Sequence, residues 1–126
     1  MRVAVYSDRQ QLRSSIHSVI GTSLGPDLPQ VELVDFATGP AVIRALQRGE
    51  IDLCLLDGET APLGGMGLSY QIHNEIPAPP PILVLLQRRD DAWLATWSRA
   101  DAVYQLPVDP FELPRVAAEL VKGRQS

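Results

Sequence analysis

Three uninterrupted apolar runs, VAVY at 3–6, LCLL at 53–56 and ILVLL at 82–86, constrain this chain more than any other feature. A strand with one wet face alternates apolar and polar residues, so a continuous run reads as a strand covered on both faces of a parallel sheet. Two further runs rich in Val, Leu and aromatic residues lie at 31–36 and 102–105. Between the runs the pattern turns helical. Leu12, Ile16, Val19 and Ile20 form a stripe at spacings of three and four. Pro40 opens a second helix, where its missing N–H costs nothing, and Gly49 closes it. A third spans about residues 67–76 and is stopped by Pro77, and Asp90 or Asp91 caps a fourth. Asp109-Pro110-Phe111-Glu112 combines an N-cap carboxylate, a first-turn proline and a capping-box glutamate ahead of Leu113, Val116 and Leu120. Strands start roughly 20 to 30 residues apart, the size of a βαβ unit, so the order is strand then helix, five times over.

At 126 residues the chain suits one domain, expected over 1–122 with a frayed tail at 123–126. Longer connections are expected at 21–30 and 58–67, and a stiff one at 77–81. Eleven Lys and Arg against fifteen Asp and Glu give a net charge of -4, which lacks the basic excess that sequence-independent nucleic-acid binding requires. No apolar run approaches the roughly 20 residues of a membrane span, and the opening MRVAVYSDRQ is too soon interrupted for a signal peptide. The single cysteine, Cys54, excludes a disulfide framework and suits the cytoplasm; inside an apolar strand it reads as core.

In an open doubly wound sheet, ligands sit outside the carboxyl ends of the strands, where strand order reverses. Ser7 and Asp8 end the first strand and Asp57 the third. If those strands are neighbours, two carboxylates converge and suit an oxygen-ligated Mg²⁺, although a lone aspartate after a strand more often caps a helix or solvates a loop. Other candidates are weaker. His17 and His73 have no second metal ligand at helical spacing. Gly64, Gly65 and Gly67 lack the following Lys-Ser or Lys-Thr of a phosphate loop.

The stretches VAVYSD at the first strand, DLCLLDGETAP at the third and the C-terminal DAVYQLPVDPFEL resemble the receiver domain of bacterial two-component response regulators over essentially the whole chain. The resemblance implies a flavodoxin-like, three-layer α/β/α fold, (βα)5, with strand order 2-1-3-4-5. It gives Asp57 the place of the phosphoacceptor, which in the family attacks a phosphoryl donor with help from Mg²⁺. Asp8 matches one member of the acidic pair that holds the ion, and Glu59 the residue whose main-chain carbonyl is a further ligand.

The departures from that pattern are specific. Ser7 stands where the first acid of the pair belongs, Leu86 replaces the switch hydroxyl, Val103 the switch aromatic, and Leu106, before Pro107, the family's lysine. Pro62 and Gly67 fall one and two positions late. Leucine offers no donor where a lysine contributes on the order of 1.5–3 kcal/mol to a phosphoryl group. Any Mg²⁺ site formed by Asp8, Asp57 and the Glu59 carbonyl is accordingly expected to be weak. Trp93 and Trp97, one turn apart, read either as core with a covered edge or as a partner surface; Trp97 and Tyr104, flanked by Arg88, Arg89 and Arg99, fall where receiver domains commonly contact partners. The resulting expectation is an atypical, non-enzymatic single-domain receiver in a phosphorelay. It takes its signal from a histidine kinase or other signalling protein and passes it on by contact with a downstream protein or a second copy of itself. The alternative is a phosphorylation-independent adaptor with the same fold.

Overall fold

Each of the three uninterrupted runs becomes a strand with no wet face. In the computed structural model, which describes residues 1–60, 64–88 and 97–125, they are β1 (Arg2–Tyr6), β3 (Leu53–Asp57) and β4 (Ile82–Leu86), flanked by β2 (Glu32–Phe36) and β5 (Ala102–Gln105). All pairings are parallel and the order is β2-β1-β3-β4-β5. The three central strands are buried almost throughout, whereas the edge strands β2 and β5 carry exposed positions. This is the doubly wound α/β architecture expected.

Side chains alternate across the sheet, so two cores form. Val3, Val5, Leu53, Leu55, Leu83 and Leu85 point to one face, where α1 (Gln10–Ile20) and the C-terminal helix α4 (Glu112–Gln125) contribute Ile16, Ile20, Leu113 and Ala117. Ala4, Tyr6, Cys54, Leu56, Val84 and Leu86 point to the other, against Val42 and Leu46 of α2 (Gly39–Gln47) and Leu68 and Ile72 of α3 (Gly65–Glu75). Cys54 is buried and takes part in no disulfide.

Helix ends follow local chemistry. Thr38 caps α2, accepting from the Ala41 N–H at 3.4 Å, with Pro40 in the first turn. Asp109 Oδ1 accepts from the Phe111 and Glu112 N–H groups, both at 2.8 Å, ahead of α4. The capping-box glutamate does not turn back; Glu112 pairs with Arg115 at 2.7 Å. Two boundaries differ from expectation. α4 continues to Gln125, into the segment expected to fray. α3 starts at Gly65, not near 67, because the Gly64-Gly65 backbone packs on the end of β3: a Cβ on Gly65 would stand 2.8 Å from the Leu56 carbonyl oxygen. Pro62, Arg89, Asp90, Asp91 and Trp93, and with them most of the fourth predicted helix, lie outside the described residues. Among the described residues no helix is long and apolar enough to cross a membrane.

Candidate active site at the ends of β1 and β3

The order reverses between β1 and β3, so their carboxyl ends border one crevice, as the ligand rule for such sheets requires. Asp57, the last residue of β3, is fully buried there, and its carboxylate is saturated. Oδ2 accepts from the Ser7 hydroxyl at 2.7 Å and from Arg9 Nε at 2.9 Å. Oδ1 accepts from the Glu59 N–H and from Arg9 Nη2, both at 2.9 Å. Arg9 therefore grips the carboxylate with two parallel bonds, the geometry that suits a guanidinium fork.

Arg9 was not among the residues the sequence singled out. It is the N-cap residue of α1, extended at φ -99° and ψ 108°, and its own N–H donates to Ser7 Oγ at 3.0 Å. The serine thus accepts from Arg9 and donates to Asp57, which turns the main chain so that the Arg9 side chain folds back over β3. Arg13 Nη1 donates to the Ser7 carbonyl at 2.7 Å and braces the same turn. The third arm of the guanidinium, Nη1, reaches Gln87 Oε1 at 3.2 Å, tying Asp57 to the loop after β4. That loop is pinned in turn, because Gln105 Nε2 donates to the carbonyls of Leu86 at 3.2 Å and Gln87 at 3.0 Å.

Burial is the strongest single influence on Asp57 and pushes its carboxyl up. The hydrogen bonds from Arg9, from the Glu59 N–H and from Ser7, with the Arg9 charge, together outweigh it and hold the group below its ordinary 3.8. Burial first, then the charges of Asp8 and Asp57, push the Tyr6 phenol up. Asp8 is exposed, with its N–H on Thr60 Oγ1 at 3.2 Å. The Glu59 side chain is exposed, and its main chain engages Asp57 through the N–H.

A divalent ion at Asp8, Asp57 and the Glu59 carbonyl finds a restrictive donor set. Both oxygens of Asp57, the only buried carboxylate among the described residues, already face a resident cation, and Ser7 stands where an acid would add charge. Among the described residues no cluster of three or more His, Cys, Asp or Glu is arranged to hold a metal. These residues fit Mg²⁺ only with Arg9 drawn off Asp57.

The altered switch positions are apolar where they stand: Leu86 and Leu106 are buried and Val103 is half-buried. Tyr104 corrects an expectation. It is only 8% exposed, packs in the core beneath α4, and accepts the Asp109 N–H on its hydroxyl at 2.9 Å, so its ring is not partner surface. Trp97 is 54% exposed and stacks on Tyr70 of α3, with ring centroids 4.8 Å apart and planes 4° from parallel. His17 bonds Asp35 at 2.9 Å and His73 is half-buried on α3; neither belongs to a group of three or more metal-ligating side chains among the described residues.

No family model matches the chain. Two Mycobacterium tuberculosis proteins named uncharacterized response regulatory proteins are each 50% identical over 123 residues, which cover 98% of this chain and 92% of theirs. The response regulatory domain of a Klebsiella pneumoniae protein superposes with a TM-score of 0.78 at 21% identity, covering 100% of both chains. The receiver domain of a Pseudomonas aeruginosa sensor histidine kinase, solved with magnesium in its active-site cleft, superposes with a TM-score of 0.78 at 18% identity, covering 96% of this chain and 97% of that one. A buried aspartate at the end of β3, on a sheet ordered 2-1-3-4-5, together with identity of one residue in two to response regulatory proteins, means that this chain belongs to the response regulator receiver family of two-component signalling.

Proposed function

We propose that the protein is an atypical receiver in which Asp57 accepts a phosphoryl group from a histidine kinase or a small acyl phosphate and output passes by protein contact. The observation that carries this reading is Asp57 itself: a carboxylate kept ionised at the switch point, with its oxygens oriented by Ser7, the Glu59 N–H and Arg9. Asp8, Asp57 and the Glu59 carbonyl would hold Mg²⁺, which in receivers screens the charge of the incoming phosphoryl group. Arg9 competes for the same carboxylate, so binding is of millimolar order, as expected from the few ligands. The net charge of -4, with no excess of Lys and Arg, favours a protein partner over nucleic acid.

The test is incubation with acetyl phosphate and Mg²⁺, followed by mass spectrometry of the peptide that contains Asp57. A phosphoryl group on that peptide, absent in Asp57→Asn, supports the reading. An unmodified wild type overturns it.

A second reading, a phosphorylation-independent adaptor, draws on the buried Leu86 and Leu106, which lack the hydroxyl and the ammonium that follow a phosphoryl group. A modification shifts a two-state equilibrium only by its differential interaction with the two states. Amide NMR with beryllofluoride separates the readings. Shifts confined to the loops after β1 and β3 favour the adaptor, and shifts reaching β5 and Trp97 favour the switch.

A further inference from the structure

We propose that Arg9 is the phosphoryl-binding cation of this site, taking over work that the family divides between a lysine and a divalent ion, so that Asp57 is modified without metal. The inference rests on Asp57 being the phosphoacceptor and assigns the residue that receives the transferred group.

Three observations converge on Arg9. Its guanidinium is the group that lies over Asp57: the carboxylate is fully buried, while the arginine side chain is 37% exposed. A phosphoryl group added to either oxygen must therefore occupy space bordered by that guanidinium. The second observation is a cleft of about 440 Å³ that opens beside it, lined by Arg9, Leu12, Gln87, Leu106 and Pro107. A donor can enter there, on the side where the family's lysine would stand and Leu106 does. The third is charge. Relative to the family pattern the site has lost one acid, at Ser7, and gained one guanidinium. With no ion bound, one guanidinium among Asp8 and Asp57 leaves a single net negative charge, whereas the family's three acids and one lysine leave two.

The transfer then balances without an ion. An Asp57 carboxylate oxygen attacks the phosphorus of an acyl phosphate; the new P–O bond forms as the bond to the donor's carboxylate oxygen breaks. That carboxylate leaves with the electron pair, and no proton moves. Before attack, Arg9 shifts one arm from the reacting oxygen to the phosphoryl oxygens, exchanging a carboxylate for a phosphate, both of which match its fork. The Nη1 contact to Gln87 keeps the guanidinium at the site during the exchange.

The experiment measures Asp57 phosphorylation by acetyl phosphate in EDTA and in Mg²⁺, for wild type, Arg9→Ala and Arg9→Lys, with Mg²⁺ alone titrated in parallel by amide NMR. Wild type is expected to react at rates within about threefold in the two buffers. Arg9→Ala is expected to lose at least about tenfold in EDTA, the scale of a charge-assisted hydrogen bond, to recover when Mg²⁺ is added, and to bind Mg²⁺ at least tenfold more tightly than wild type. Arg9→Lys keeps the charge without the fork, so it should remain metal-independent at a reduced rate; it serves if the alanine variant does not fold. A wild type that reacts only with Mg²⁺, or an Arg9→Ala that reacts as fast as wild type in EDTA, overturns the assignment to Arg9 and leaves Asp57 as the acceptor. A wild type unmodified in both buffers removes the acceptor reading as well.

Discussion

Replacing Arg9 by alanine should cost stability, because Asp57 is fully buried and loses two of the four hydrogen bonds it makes among the described residues, both of them with a formal counter-charge. Removing one partner of a fully buried pair costs about 3–5 kcal/mol. Here the arginine is 37% exposed, and water can reach the space it vacates, so about half of that, roughly 2 kcal/mol, is the expected loss. With a urea slope of about 1–3 kcal/mol per molar for a domain of this size, the unfolding midpoint at neutral pH falls by about 1 M.

A double-mutant cycle with Asp57→Asn isolates the pair, and its coupling should be about 1.5–2 kcal/mol. The pH dependence has a fixed sign. The folded Asp57 carboxyl lies below its ordinary 3.8, so the pair's contribution is present in full above the ordinary carboxylate range and is lost as pH falls through the folded value. The gap between wild type and Arg9→Ala should therefore narrow on acidification. A coupling below about 0.5 kcal/mol, or a gap that widens toward acid, would refute the assignment of Arg9 as the group that holds this carboxylate ionised.

Gly65→Ala puts a Cβ 2.8 Å from the Leu56 oxygen and 2.9 Å from the Asp57 carbonyl carbon, contacts that only backbone movement relieves. It should cost about 1–3 kcal/mol and shift the Asp57 amide resonance, and an unshifted spectrum would count against it. Tyr104→Phe deletes the acceptor of the Asp109 N–H and should lower stability by about 1 kcal/mol, with faster hydrogen exchange at Asp109; unchanged exchange would contradict the bond. Trp97→Ala removes the stack on Tyr70 from an exposed face and should cost no more than about 1.5 kcal/mol in thermal or urea unfolding, whereas a loss beyond 3 kcal/mol would mark the ring as core.

The strands were legible because burial on both sheet faces leaves a sequence signature that no turn or amphipathic helix shares. The apolar run of β3 stops at Leu56, and Asp57, expected to end that strand, is its last residue. Asp109 was legible as a cap because the proline and glutamate after it exclude most alternatives. Arg9 was not, since one arginine after an aspartate looks like any solvated charge, and nothing in its spacing says that the Ser7 turn folds it back over β3. Tyr104 misled for a related reason. A residue on an edge strand can point to either side of the sheet, and the alternation that decides between them cannot be counted securely over a strand as short as AVYQ.

Ser7 shows how a residue read as a loss becomes part of a replacement. An acid at that position would set a second carboxylate against buried Asp57 and could not donate the 2.7 Å bond that the hydroxyl supplies. Nor would ionised oxygens leave Asp57 as the one carboxylate that the Arg9 guanidinium bonds. The serine removes the competing charge and, through the Arg9 N–H, sets the turn that delivers the guanidinium. Once that cation is present, a lysine at position 106 would bring a second positive charge to a site with one buried carboxylate, and a leucine there instead fills the core. Ser7, Arg9 and Leu106 are therefore coupled by charge: restoring the acid or the lysine singly should unbalance the site, and only exchange of all three together returns it to the family's pattern of charge.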